Sequence, residues 1–189
     1  MSSIKVQKIG ITNLDTDAIV NAANEGLWEG GGVCGAIFSA AGSRQLTAAC
    51  NAIGHCDTGS AVITPGFALP AKYVIHAVGP VWHGGGNNED KLLYSAYEQS
   101  LKVAKENGCH SIGFPLISAG IYGYPRAEAW RIGLQAGFDF IKANSGYEID
   151  IVFAVLDDDI FRQGESIKSE LECEDEVFLM GDVAVDGTL

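Results

Sequence analysis

The feature that most constrains this chain is a repeated alternation of short apolar runs with longer stretches of helical period. Six runs rich in Val, Ile and Phe have the length of strands and are apolar almost throughout, which is typical of strands covered on both faces. They lie at 4–9, 18–22, 60–66, 72–78, 111–116 and 149–156. The intervening stretches predict helices at 33–41, 43–54, 89–106, 125–143 and 158–171. This pattern predicts an α/β layered fold and argues against separate strand and helix domains.

The length and composition fit one packed domain. At 189 residues, with 47% hydrophobic and 19% charged residues, the chain can bury a large core. From Glu172 onward the sequence ECEDEVFLMGDVAVDGTL has no clear period. We therefore predict a domain over residues 1–171 and an acidic tail over 172–189, with a short edge strand at 177–180.

The charge and cysteine content limit the partners and the compartment. The net charge is −12, with eight acidic residues and one basic residue in 165–189. Binding to nucleic acid or anionic lipid needs a cationic face, so we expect neither partner. Five cysteines without a framework spacing, and no apolar leader after Met1, predict a cytoplasmic protein with reduced thiols. No apolar run approaches the roughly 18 residues of a membrane span.

Two glycine-containing loops follow predicted strands. The first carries Gly30–Gly32 between the strand at 18–22 and a helix, and the second is FPLISAGIYGYP at 114–125. A helix N-terminus behind glycines presents unpaired N–H groups that an anion can approach closely. Because carboxyl ends of parallel strands meet at one edge of a sheet, the loops should face each other across a crevice. The pattern predicts an anion-binding cleft, although such glycines also occur where only a turn requires them.

Other motifs fit poorly. Gly30, Gly32 and Gly35 match the spacing of a dinucleotide-binding fingerprint, but the strand ends near Ala22, too early for Gly30 to form the tight turn. No Gly-Lys-Ser/Thr string exists, which excludes a P-loop. The spacing of Cys50, His55 and Cys56 resembles a metal site only loosely. We expect no metal and no cofactor.

Several motifs together resemble a macro domain. They are NAAN at 21–24, GGGVxGAI at 30–37 with AAG at 40–42, VGPVW at 78–82 with NED at 88–90, and PxISxGxYGYP at 115–125. The resemblance covers residues 4–171 and is strongest to the MacroD-type branch, which contains bacterial O-acetyl-ADP-ribose deacetylases. It implies a three-layer α/β/α sandwich around a mixed, mostly parallel six-stranded sheet, with ADP-ribose or O-acetyl-ADP-ribose held across the two glycine loops.

The resemblance also implies roles for individual residues. Asn24 would contact the distal ribose and take part in catalysis with the residue at position 34, and Tyr122 would lie beside that ribose. Backbone N–H groups of the two loops would wrap the diphosphate. The implied ligand-binding residues are Ile11, Asn24, Gly31, Gly32, Val33, Cys34, Ser118, Ala119, Gly120, Ile121 and Tyr122.

Three positions depart from the family pattern. Gly10 stands where the family has an Asp that bonds the adenine amino group, Cys34 replaces the Asp proposed as catalytic base, and Phe38 replaces a His. Diphosphate binding through backbone groups does not depend on these residues, whereas adenine recognition and hydrolysis do. Asp157 or Asp158 is a candidate substitute for adenine recognition.

Two functions therefore remain open. The first is hydrolysis of O-acetyl-ADP-ribose or of mono-ADP-ribosyl groups, with Cys34 as a thiolate nucleophile or base, or with the thiol as a half-buried filler outside the chemistry. The second is a non-catalytic reader of ADP-ribose or of ADP-ribosylated proteins. A binder of other phosphorylated nucleotides is a more distant alternative, permitted by Gly10.

Overall fold

A six-stranded sheet forms the centre of the molecule. The computed structural model describes the backbone of residues 1–183 and the side chains of residues 1–175. The strands are β1 (Ser3–Lys8), β2 (Ala18–Ala22), β3 (Ala61–Pro65), β4 (Tyr73–Ala77), β5 (Ser111–Phe114) and β6 (Asp150–Val155). Their order is β1-β6-β5-β2-β4-β3. Only β3 runs antiparallel to its neighbour, β4, so the sheet is mixed and mostly parallel, as predicted.

Helices cover both faces of the sheet. They are α1 (Gly32–Ala41), α2 (Ser43–Ile53), α3 (Glu89–Glu106), α4 (Arg126–Ala143) and α5 (Asp158–Val183). Helices α1 and α2 pack on one face, while α3, α4 and α5 pack on the other. The predicted three-layer α/β/α sandwich is confirmed.

The apolar periodicity of the helices explains why they pack on the sheet. The stripe predicted on α3 is buried, and Tyr97 at its centre packs against Phe114 and Phe153 of the sheet, with ring centroids 5.1 and 5.9 Å away. Trp130 of α4 joins the same cluster at 5.7 Å from Phe153. These large rings fix α3 and α4 on the sheet, and the loop between β5 and α4 is therefore held at a defined place.

The last helix is longer than the sequence predicts. The expected edge strand at 177–180 is wrong, because α5 continues through those positions to Val183. No Gly or Pro interrupts residues 165–180, and ion pairs from α4 hold α5 in place, including Lys142 to Asp175 at 2.8 Å. The rest of the predicted acidic tail, 184–189, lies outside the described residues. Among the helices that are described, α5 included, none combines the length and apolar character needed to cross a membrane.

Candidate ligand-binding cleft

A cleft of about 600 Å³ opens at the carboxyl ends of the parallel strands. Its wall is built from the segments that follow β1, β2, β4, β5 and β6, together with the start of α1. Every ligand-binding residue predicted from the sequence lies on this wall, namely Ile11, Asn24, Gly31, Gly32, Val33, Cys34, Ser118, Ala119, Gly120, Ile121 and Tyr122. Segments about 100 residues apart in the chain are thus brought to one crevice, as parallel topology requires.

The first glycine loop ends in an uncapped helix N-terminus. Gly31 is the N-cap of α1 and offers no side-chain acceptor, so the N–H groups of the first turn are left without a cap. Gly32 has a φ of 59°, which favours glycine. A Cβ atom at Gly35 would lie 2.7 Å from the carbonyl oxygen of Gly30, so the tight fold of the loop requires glycine there. These N–H groups and the helix dipole favour an anion at this point.

The second loop, residues 115–124, is anchored from below by a buried tyrosine. The Tyr97 hydroxyl donates to the Pro115 carbonyl at 3.3 Å and accepts the Ile117 N–H at 2.9 Å. The loop closes on itself through the Tyr124 N–H, which donates to the Ser118 carbonyl at 2.9 Å. The N–H groups of residues 120–122 take no part in that closure, and these three residues lie on the wall of the cleft.

The two loops approach each other across the cleft. A Cβ atom placed on Gly31 would lie 3.9 Å from Cδ1 of Ile121, whose side chain is 85% exposed. The two loops, with N–H groups in the first turn of α1 and at residues 120–122 that donate no hydrogen bond to a described residue, therefore lie on either side of one passage. This is the geometry that suits an elongated anion such as a diphosphate.

Ser118 contributes a hydroxyl that the protein itself does not satisfy. The residue is 6% exposed and has a φ of 65°, which is unusual for a residue other than glycine. Its Oγ is buried against Gly79 and finds no hydrogen-bond partner among the described residues. Leaving such a group unpaired costs about 1 to 3 kcal/mol.

One end of the cleft is polar. The Asn24 side chain closes its own loop, accepting the Trp28 N–H at 3.1 Å and donating to the Trp28 carbonyl at 3.0 Å. Cys34 is 6% exposed, and its Sγ accepts the Gly30 N–H at 3.4 Å. Burial raises the pKa of Tyr122, and the nearby Glu25 carboxylate raises it further, so this phenol stays protonated at neutral pH.

The opposite end is apolar, with wall residues Ile9, Ile11, Val155, Leu156 and Ile160. The two candidate carboxylates for adenine recognition are both engaged here. Oδ1 of Asp157 accepts the N–H groups of Asp159 and Ile160 at 2.9 and 3.0 Å and so caps α5. Asp158 pairs with Lys8 at 2.5 Å, which lowers the pKa of its carboxyl group. Asp157 is on the wall of the cleft, and Asp158 is not among its wall residues.

The remaining sequence candidates lie elsewhere. Phe38 is 1% exposed in the core beneath α1. Cys50 and Cys56 are buried, which raises the pKa of each thiol to about 11. Cys50 faces His76, whereas His55 is exposed and pairs with Asp57 at 2.7 Å. The loosely metal-like set of Cys50, His55 and Cys56 therefore does not converge.

Sequence reasoning missed two residues that shape the cleft. Tyr97 was part of the apolar stripe of α3, and its hydroxyl was not recognised as the support of the second loop. Arg126 supplies the one Lys or Arg side chain on the described wall. Its position directly after the YGYP motif, in the first turn of α4, is a feature from which it could have been found.

Comparison with known proteins identifies the family. Residues 20–133 match the family model described as "Macro domain". The chain belongs to the macro domain family. An O-acetyl-ADP-ribose deacetylase of Escherichia fergusonii is 50% identical to this macro domain over 162 residues, which are 84% of this chain and 90% of that protein. A macro domain-containing protein of Chlorobaculum tepidum is 50% identical over 151 residues, covering 80% of this chain and 87% of the relative.

Solved structures show the same fold with nucleotides bound. The Oceanobacillus iheyensis macrodomain with ADP has a TM-score of 0.82 and 36% identity to this macro domain, over 90% of this chain and 91% of the other. The Trypanosoma brucei macrodomain in complex with ADP-ribose has a TM-score of 0.80 and 39% identity, over 86% and 68%. With 36% and 39% sequence identity, these two structures share the family of this chain as well as its fold.

Proposed function

We propose that this macro domain binds ADP-ribose along the cleft. The diphosphate lies between the two glycine loops, the adenine at the apolar end, and the distal ribose beside Asn24 and Tyr122. This orientation follows from chemistry, because a flat base suits apolar walls and a sugar suits amide and hydroxyl groups. The solved relatives that hold ADP and ADP-ribose support the same ligand class.

The observation that carries the proposal is the convergence of the two loops. Gly31 and Ile121 approach each other closely, the first turn of α1 is uncapped, and Ser118 offers an unsatisfied hydroxyl. Hydrogen bonds to charged oxygens contribute about 1.5 to 3 kcal/mol each, so several of them can hold a diphosphate without a cationic pocket.

Calorimetric titration with ADP-ribose, beside AMP and ADP, tests this binding. We expect a dissociation constant in the micromolar range for ADP-ribose, which corresponds to a binding free energy of about −8 kcal/mol. A matched pair of variants locates the site, since Gly120 and Gly146 both have open space where a Cβ would be added. Gly120→Asp puts a negative charge in the second loop and should abolish binding, whereas Gly146→Asp, outside the cleft, should not. Binding that survives Gly120→Asp, or no heat with wild type, would refute the proposal.

We further propose that this macro domain removes an acyl or protein substituent from the distal ribose. Relatives about 50% identical carry the name O-acetyl-ADP-ribose deacetylase, which supports this activity. Release of acetate from O-acetyl-ADP-ribose by the wild-type protein is the expected result. ADP-ribosylated proteins are the second substrate class to be assayed.

The alternative is a non-catalytic reader of ADP-ribosylated proteins, and one observation favours it. On the described wall the only carboxylate is Asp157, at the apolar end, so no carboxylate lines the Asn24 end where water would have to be activated. Tight binding of ADP-ribose with no release of acetate or of protein-linked ADP-ribose would identify the protein as a reader.

A further inference from the structure

The apolar end of the cleft offers little that could distinguish one purine from another. Its wall consists mainly of aliphatic side chains, and Leu156 there is 70% exposed. Such surfaces hold a base by contact area, and contact area is nearly the same for all purines. Discrimination at position 6 of the ring needs a polar group, because adenine carries a hydrogen-bond donor there and hypoxanthine an acceptor.

Few polar side chains at this end could supply discrimination, and those on the wall are Thr12 and Asp157. Gly10 lies on the wall and has no side chain. Asp157 uses Oδ1 to cap α5, and Asp158 is paired with Lys8. One hydrogen bond from an amino group to a free carboxylate would favour adenine by about tenfold to a hundredfold, and Gly10 cannot supply that hydrogen bond.

We infer that this macro domain accepts diphosphoribose ligands with little selection at purine position 6, and that Gly10 sets this tolerance. The inference rests on the proposed ADP-ribose binding. It widens the substrate class from ADP-ribose to purine nucleoside diphosphoriboses, including the 6-oxo analogue, inosine diphosphate ribose.

The backbone at Gly10 permits a direct test. Its φ of −68° and ψ of 129° are open to any residue, and it occupies the N-cap of the turn Ile11–Asn13. A Cβ atom there would meet only Asn13 Nδ2, at 3.2 Å, on an exposed side chain that can move away. Gly10→Asp therefore adds a carboxylate at the apolar end with little strain, and Gly10→Ala is the matched control for the added bulk.

The experiment measures dissociation constants of ADP-ribose and inosine diphosphate ribose for wild type, Gly10→Ala and Gly10→Asp. We expect the two constants to agree within about fivefold in wild type and Gly10→Ala. In Gly10→Asp the preference for ADP-ribose should rise at least about tenfold, the effect of one hydrogen bond to a charged acceptor. Gly10→Asn, whose amide oxygen can also accept from the amino group, serves if the Asp variant does not fold.

The possible outcomes distinguish a failure of this inference from a failure of the proposed ADP-ribose binding on which it rests. A wild-type preference for ADP-ribose of about tenfold or more would overturn the inference, and its loss in Asp157→Asn would transfer base recognition to that carboxylate. An unchanged ratio in both Gly10→Asp and Gly10→Asn would remove Gly10 from base selection. No heat with either ligand in wild type would instead refute ADP-ribose binding itself.

Discussion

Cys34 is the residue at which the proposed binding and the proposed hydrolysis can be tested separately. Its thiol is buried at the start of α1, and its sulfur accepts the Gly30 N–H at 3.4 Å, so it helps to hold the first glycine loop. That role needs an acceptor of moderate size and needs no proton transfer. The structure therefore shows a contact of Cys34 within the loop, and the sequence-based prediction of Cys34 as nucleophile or base stays a prediction.

A series at position 34 tests the chemistry. We expect Cys34→Asp to raise deacetylation of O-acetyl-ADP-ribose by about a hundredfold or more, because a placed general base typically contributes that much. Cys34→Ala should retain most of the wild-type turnover, measured as acetate release under saturating substrate. If Cys34→Ala loses activity by about a hundredfold while still binding ADP-ribose, the thiol itself is the catalytic group.

The helices, strands and loops were more predictable from the sequence than the contacts of individual side chains, for a physical reason. Apolar periodicity and glycine position are local properties of the sequence, and they placed the strands, the helices and both loops of the cleft. The Tyr97 hydroxyl meets Pro115 and Ile117 only after α3 docks on the sheet, so no local pattern contains that contact. The edge strand predicted at 177–180 is wrong because the run VFLM is apolar without a clear period, and no helix breaker precedes it to end α5.

The start of α5 gives a prediction at the scale of one helix. Asp157→Ala removes the carboxylate that accepts the Asp159 and Ile160 N–H groups, and it should lower the free energy of unfolding by about 1 kcal/mol. Urea denaturation measures the difference. Asp159→Ala is the matched control, because that side chain is 91% exposed and its carboxylate lies 4.0 Å from Arg162. Equal losses in the two variants would contradict the capping role.

For the molecule as a whole, the charge distribution explains how an acidic protein can bind a diphosphate. Much of the net charge of −12 lies in residues 165–189, and salt screens exposed charges beyond roughly 8 Å. Backbone donors at the cleft then determine the interaction. Composition predicted only that cations are scarce, and the positions of the glycines showed where an anion can still be held.

The buried His76 makes global stability depend on pH. It is fully buried among Asn21, Thr64 and Cys50, and burial lowers its pKa to about 4. Since the unfolded chain takes up this proton near pH 6.5, the stabilisation is complete above that pH and is lost as the pH falls toward 4. Between pH 7 and pH 5 the loss should be about 2 kcal/mol.

Urea denaturation at the two pH values, for wild type and His76→Gln, measures this contribution. The variant should be less stable at pH 7, but its free energy of unfolding should fall less by pH 5. His83→Gln, at an exposed histidine, is the control and should show the wild-type fall. The same fall in His76→Gln would assign the pH dependence to other groups.

The position of Ile121 near Gly31 also bears on the rate at which a ligand enters the cleft. The side chain that approaches Gly31 across the cleft is aliphatic and 85% exposed. Exposed side chains change rotamer in picoseconds to nanoseconds, far faster than a dilute ligand collides with the protein. The Ile121 side chain therefore changes rotamer many times between two encounters, and its position sets no limit on how quickly a ligand enters.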